Sequence, residues 1–290
     1  MFGVVHFEQD PPVFGGVEDM VEERGGEVHL RSEVVRVHRK GNRVTSIDVK
    51  HWHEDGREPV VERVEGEHFV NTMALRDLIH AFDPPPPPEV VAAADKLKYR
   101  DFLIVTLVLD HADPFRDNWI YIHSPKVKVG RIQNFRAWSK EMLPDQNTAS
   151  IGMEYFCQQG DGLWTMSDDE LRKLAAQELE QLGLARASDV IGAAIIRQPK
   201  AYPVYDGEYR AALDVLEDWI LGLENFQTVG RNGLHRYNNQ DHSMLSAMYA
   251  ARNILGEKND VWNVNVERSY HEEFEVKKPA GSVKPALAAE

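Results

Sequence analysis

The chain has 290 residues, 33 Lys+Arg against 47 Asp+Glu, and a formal net charge of −14 at pH 7. At roughly 100–200 residues per domain, that length makes one large or two ordinary domains, each able to bury a core. Hydrophobic residues at 42% and charged residues at 28% exclude a wholly disordered, collagen-like or coiled-coil chain, and the acidic excess argues against a nucleic-acid surface.

The start, Met1-Phe2-Gly3-Val4-Val5-His6, lacks the basic region and apolar stretch of a signal peptide. From Gly15 to Gly26, Val17, Met20 and Val21 recur at helical spacing, and Gly25-Gly26 ends the element. Val28-His29-Leu30 begins a strand region, in which Val35 and Val37 alternate with Arg36 and His38 as in a half-buried strand. Turns at Lys40-Gly41-Asn42 and Glu54-Asp55-Gly56 separate this strand from two more, Val44 to Val49 and Pro59 to Val64. The pattern predicts a three-stranded antiparallel meander. His68-Phe69-Val70 reads as a short strand and Leu75 to Phe82 as a short helix, ended by the five prolines Pro84 to Pro88, a stiff polyproline connector.

Glu89 to Leu97 reads as a helix and Tyr99 to Asp110 as a long buried strand; Trp119 to His123, Val129 to Phe135 and Ser150 to Phe156 read as further strands. The longest greasy run, Phe102 to Leu109, is too short to cross a bilayer, so a soluble, cytoplasmic protein is expected. The single cysteine, Cys157, can form no internal disulfide, which fits a reducing cytosol. Beside the apolar Ile151 to Phe156 run it reads as a buried, inert thiol rather than a nucleophile. Ser167-Asp168-Asp169-Glu170 is a capping box ahead of an apolar stripe at Leu171, Leu174, Ala175, Leu179 and Leu182. Val190 to Arg197 then reads as a strand, Glu208 to Leu223 as an amphipathic helix, Phe226 to Val229 as a short strand and Ser243 to Leu255 as a helix closed by Gly256. The tail at 274–290 is small, polar and expected to be flexible.

No GxGxxG, Walker A, GxSxG or HExxH pattern occurs. His51-Trp52-His53 puts two imidazoles on one strand face, but with no third ligand nearby they read as surface histidines, and no metal site is expected. The informative segment follows Gln227-Thr228-Val229: Gly230-Arg231-Asn232-Gly233, then Leu234 to Asp241, then a helix carrying the small residues Ser243, Ser246, Ala247, Ala250 and Ala251. Gly230 and Gly233 allow close backbone approach to a ligand. Arg231 offers a fork of donors suited to phosphate, and the following helix offers unpaired amides and a positive dipole end. An ordinary capped strand–loop–helix has the same residues, so both readings stay open.

This segment resembles the C-terminal flavin-binding motif of the FAD-dependent amine oxidase superfamily, which includes protoporphyrinogen oxidase-like and phytoene desaturase-like proteins and UDP-galactopyranose mutase. Gly25-Gly26-Glu27-Val28-His29-Leu30-Arg31-Ser32-Glu33-Val34 is similar to the family segment that reaches the adenine of FAD. Val70-Asn71-Thr72-Met73, Tyr202-Pro203-Val204-Tyr205 and Trp262 to His271 resemble further parts, so that the likeness covers roughly residues 13 to 273. It implies an α/β fold with an α+β insertion. The partial FAD-binding domain at 1–75, with its meander, would be completed by 226–273, around a mixed-sheet substrate domain at 76–225. It implies FAD as cofactor, with the Val34 backbone at the adenine, Gly230 and Arg231 at the diphosphate or ribityl side and Asp241 at the ribityl hydroxyls or simply capping the helix. The amides of His242, Ser243 and Met244 would meet the flavin pyrimidine edge. A small-molecule substrate would lie against Arg131, Gln133, Asn134, Tyr202, Tyr205, His235 and Tyr237, with no general base nameable. The family's N-terminal glycine-rich βαβ unit has no counterpart here, and the first dozen residues, with Pro11-Pro12, depart from the family's approach to the Gly-Gly helix. The resemblance therefore implies an N-terminally truncated chain that alone holds FAD weakly. The chemistry implied is hydride transfer from substrate to flavin. A mutase-like isomerisation on reduced flavin, or a non-enzymatic fragment without cofactor, are the alternatives.

Overall fold

A computed structural model describes residues 15–53 and 55–265. The expectations for the first dozen residues, for the tail at 274–290 and for the part of the Trp262 to His271 segment after Asn265 lie outside the described residues. In chain order the elements are α1 (Gly15–Glu22), β1 (Ser32–Lys40), β2 (Arg43–His51), β3 (Val60–Glu65), β4 (Phe69–Asn71), α2 (Leu75–Ala81), β5 (Phe82–Asp83), α3 (Pro88–Lys96) and β6 (Lys98–Leu109). Then come β7 (Trp119–Tyr121), β8 (Arg131–Asn134), α4 (Phe135–Trp138), β9 (Ala149–Cys157), α5 (Asp168–Gln181), β10 (Val190–Val204) and α6 (Tyr209–Leu221). The chain closes with β11 (Phe226–Thr228), α7 (Gly230–Gly233) and α8 (Gln240–Ile254). No helix among the described residues is long and apolar enough to cross a membrane.

Two compact units result, one within Met1–Met73, Ala81–Pro84 and Asp218–Glu290, the other Ala74–His80 and Pro85–Glu217. The chain returns to the first unit at Asp218, earlier than the expected residue 226. In the first unit β1, β2 and β3 form the meander, and β5 adds parallel to β1 in the order β3-β2-β1-β5. Gly41 at φ +62° makes the two-residue turn between Lys40 and Arg43, which face each other across the ladder. Val37, Val44 and Val49 point to the core. The strand expected from Val28 does not form: the chain bends at Leu30, and Arg31, at φ +50°, is in the left-handed region that no strand accepts. The simple alternation of Val35 with Val37 also fails. The register slips between Val34 and Arg36, which leaves Val35 as the exposed extra residue of a bulge.

Asn225 anchors the returning chain. Its side-chain amide donates to the carbonyls of Val44 and Glu67, both at 2.8 Å, and its Oδ1 accepts from the Val44 amide at 2.9 Å. Because the Asn225 carbonyl also accepts from the Phe69 amide at 2.9 Å, β11 is laid parallel beside β4, Phe226 against Phe69.

The second unit is built on an antiparallel sheet in the order β10-β6-β9-β8-β7. Leu103, Val105, Leu107 and Leu109 of β6 and Ile151, Met153, Tyr155 and Cys157 of β9 alternate onto one face, where Leu171, Ala175 and Leu179 of α5 pack. Burying each such leucine contributes about 1.5–3 kcal/mol. The Ser167 capping box forms as expected, Ser167 Oγ accepting from the Glu170 amide and Glu170 from the Ser167 amide at 2.9 Å. Pro87 has polyproline dihedrals, but Pro88 already belongs to α3, whose first turn spares an amide. Strand β10 runs past its expected end at Arg197. Pairing lapses between Gln198 and Tyr202, where Lys200 takes φ +53° and its amide donates to the buried Asp101 carboxylate at 2.7 Å.

Candidate functional site

After β11, Val229 stays extended and the chain coils into the single turn α7, where an open loop was expected. Gly230 is required by its φ of +83°. Gly233 is required by packing: a Cβ there would meet Thr228 Oγ1 at 2.7 Å and the Asn71 carbonyl at 3.1 Å. Its smallness therefore serves the strand ends of its own unit. Side chains cross-tie the turn. Ser246 Oγ, fully buried, accepts from the Gly230 amide at 3.0 Å, Asn238 Nδ2 donates to the Gly230 carbonyl at 3.1 Å, and Thr228 Oγ1 donates to the Gly233 carbonyl at 2.6 Å. Arg231 Nε donates to the Asn238 carbonyl at 2.9 Å while its guanidinium lies 4.6 Å from the Tyr237 ring centre. Arg231 thus clamps the turn, and Tyr237 is its platform. His235, expected at the substrate, is 0% exposed at φ +47°, a buried corner of the turn.

The helix beyond also starts earlier than expected. With Asn239 as N-cap, α8 begins at Gln240, and the Ser243 amide donates back to the Asn239 carbonyl at 3.0 Å. Of the three amides assigned to the flavin edge, only that of His242 stays at the tip. Ser243 and Met244 lie inside the helix, and the first-turn amides are those of Gln240, Asp241 and His242, the last of them facing the Asn239 side chain in a capping box. His242 Nδ1 accepts from the Asn239 amide at 3.4 Å. Asp241 is not the cap: its side chain is exposed in the first turn, where a carboxylate complements the helix dipole.

Among the described residues, Asn232 Oδ1, Arg236 Nε and Asn238 Oδ1 are buried without a hydrogen-bond partner. Buried polar atoms are normally satisfied, and leaving one unmet costs about 1–3 kcal/mol. These two acceptors and one donor lie on the stretch that leads into α8, whose first-turn amides are donors of the kind that the acceptor-rich pyrimidine edge of a flavin would need. The chemistry of those amides fits that group. Val34, assigned to the adenine, is half-buried opposite Val49 immediately before the bulge.

The second unit carries its own constellation, on the sheet face away from α5. Glu154 is 0% exposed and accepts from Arg131 Nε and from Gln133 Nε2. Arg131 Nη2 donates to the Tyr202 hydroxyl at 3.0 Å. Rings surround the guanidinium: Trp119 at 4.9 Å, Phe156 at 5.7 Å, Phe102 at 5.9 Å and Tyr121 at 6.0 Å. Burial opposes the charge, but Glu154 and Tyr202 outweigh it and hold the Arg131 pKa above its ordinary value. Three expected substrate residues, Arg131, Gln133 and Tyr202, therefore do meet. Asn134 does not join them: its Nδ2 donates to the Phe115 carbonyl at 2.8 Å and its Oδ1 accepts from the Ala137 amide at 3.3 Å. Tyr205 instead packs on Tyr209, ring centres 4.7 Å apart. Sequence reasoning missed Glu154 and Phe156. The available signal was one charge inside the apolar strand Ile151 to Cys157.

His51 Nδ1 is 2.9 Å from Ser32 Oγ, a tie within the meander. Burial pushes the Cys157 thiol up to about 11, so it stays protonated at neutral pH.

The family model for flavin containing amine oxidoreductases matches residues 16–209, more than half of the chain. No curated protein matches. Among solved structures, reduced UDP-galactopyranose mutase aligns with a TM-score of 0.65 at 18% identity, over 80% of this chain and 48% of that one. Wild-type putrescine oxidase bound to putrescine aligns with a TM-score of 0.54 at 15% identity, over 82% of this chain and 51% of that one. At such identities the likeness is one of fold, and the chain spans about half the length of these proteins. By the family match the chain belongs to the flavin containing amine oxidoreductases, which points to FAD as the cofactor.

Proposed function

We propose that this chain contributes the flavin seat and a substrate-facing sheet to an FAD-dependent oxidoreductase that moves a hydride from a small organic substrate to the flavin. The observation that carries the reading is the α7–α8 segment, in which three unmet buried polar atoms lie on the stretch that leads into the first-turn amides of α8. When bound, FAD supplies the redox chemistry. The chain's residues bind and orient. The Gln240, Asp241 and His242 amides and the dipole of α8 stabilise negative charge at the pyrimidine edge. Arg231 and Ser246 fix the turn that carries them. On the sheet of the second unit, Glu154 and Tyr202 hold the Arg131 fork in one orientation and keep it charged, ready for a polar substrate group. The test is a titration of the 290-residue chain with FAD, followed by flavin fluorescence anisotropy. Saturable binding below about 1 mM, weakened several-fold in Ser246→Ala, is expected; no saturation would overturn the reading in favour of a cofactor-free fragment.

A mutase-type isomerase is the second reading. What favours it is the Gly230-Arg231, Tyr237 and Asp241 pattern, with Arg231 seated on Tyr237. Turnover of a sugar nucleotide by dithionite-reduced protein, absent in the oxidised form, would select it over the oxidoreductase.

A further inference from the structure

A groove of about 780 Å³ in the second unit, distinct from the Arg131 cluster, is lined among others by Asp113, Phe115, Arg116, Arg136, Trp138 and Lys140. That volume lies within the roughly 300–1,000 Å³ of small-molecule sites. On a chain of net charge −14 the groove gathers three cations against one carboxylate, a local reversal that attracts anions. Arg136 is the decisive residue. Its side chain is only 12% exposed, and its buried Nε makes no hydrogen bond, having only a loose ion pair with Asp113. Nη1 donates to Gln146 Oε1 at 3.2 Å, and the Asp113 carboxylate that pairs with Nε lies 3.7 Å away on a side chain 93% exposed to water. A guanidinium carries five donors, and a buried one left unmet is costly unless an oxyanion arrives. Trp138 lines the same groove with its ring half-exposed, tilted against Trp119 at 6.2 Å.

We propose that this groove binds a planar organic anion, its carboxylate or equivalent oxyanion on Arg136 and its ring against Trp138, with Arg116 and Lys140 supplying long-range attraction. The inference is independent of the flavin reading. The probe is 2-naphthoate, titrated into the full chain by saturation-transfer NMR beside two controls, neutral 2-naphthylmethanol and non-aromatic cyclohexanecarboxylate. Naphthoate is expected to saturate below about 1 mM, each control to bind about tenfold more weakly, and Arg136→Gln and Trp138→Ala each to weaken naphthoate about tenfold. Equal binding of naphthylmethanol, unchanged affinity in Arg136→Gln, or loss in Arg131→Gln but not Arg136→Gln would overturn it, as would no saturation. Should Arg136→Gln lose its near-UV circular dichroism, the exposed double variant Arg116→Gln/Lys140→Gln decides instead: about threefold weakening supports the site, and no change refutes it.

Discussion

The Arg131–Glu154 pair offers the sharpest test of the sheet-face constellation. Glu154 is 0% and Arg131 8% exposed, so both charges have left water and each depends on the other. Removing one partner of such a pair leaves an uncompensated buried charge, at about 3–5 kcal/mol, whereas replacing both with neutral groups of similar volume is often nearly neutral. In Glu154→Gln the guanidinium keeps the Tyr202 hydroxyl and its surrounding rings, so the loss belongs at the lower end, about 3 kcal/mol. In Arg131→Met the Glu154 carboxylate keeps only Gln133, so the loss is about 4 kcal/mol. The double variant should be no less stable than the worse single one, a coupling of about 3 kcal/mol. Urea unfolding followed by near-UV circular dichroism measures all four proteins, and each single variant should lower Tm by about 10 °C. If the two single losses simply add, the charges are not compensating each other and the constellation has been misread.

Gly233→Ala should cost about 1–3 kcal/mol by forcing its Cβ into Thr228 Oγ1, whereas Gly162→Ala, with open space around it and no positive φ, should be neutral in the same thermal melts. Hydrogen bonds from Arg63 and from His38 hold the Asp48 carboxyl down to about 2. A folded-state pKa depressed below the ordinary 3.8 gives stability that is full above that value and is lost as pH falls toward 2, so Asp48→Asn should flatten the acid limb of a pH–stability curve. Cys157, buried and with its pKa raised, should resist a disulfide reagent in the native protein and react once in urea; prompt native reaction would contradict its burial.

Much of the fold was legible wherever a signal is local. The Ser167 box with its leucine stripe named α5, and Gly41 named the first hairpin, because cap and turn chemistry act within a few residues. Deviations arose where a distant partner decides. Arg31 in the left-handed region cut short a strand that propensity alone would extend, and Val35 was displaced by a register slip set across the ladder by β2. Strand β10 crossed the Pro199 interruption because Asp101, far along the chain, accepts the Lys200 amide. Glu154 carried half a signal, a charge in an apolar strand, but its partner Arg131 lies on the next strand of the sheet and no spacing rule joins them.

The start of α8 shows why such errors matter for chemistry. Asn238, Asn239, Asp241 and Ser243 are all residues that cap helices well, so the segment alone offers several starts. Tertiary ties choose among them. Asn238 is taken by the Gly230 carbonyl through its amide and by Arg231 through its own carbonyl, and Ser246 is drawn to the Gly230 amide. With Asn238 held in the turn, the next residue becomes the cap, and the first-turn amides are those of Gln240–His242 rather than His242–Met244. The same glycine whose positive φ opens the turn thus also sets which donors the helix tip presents. We therefore propose that Gly230 and Arg231 serve the flavin seat through the turn that they hold, by hydrogen bonds within the protein.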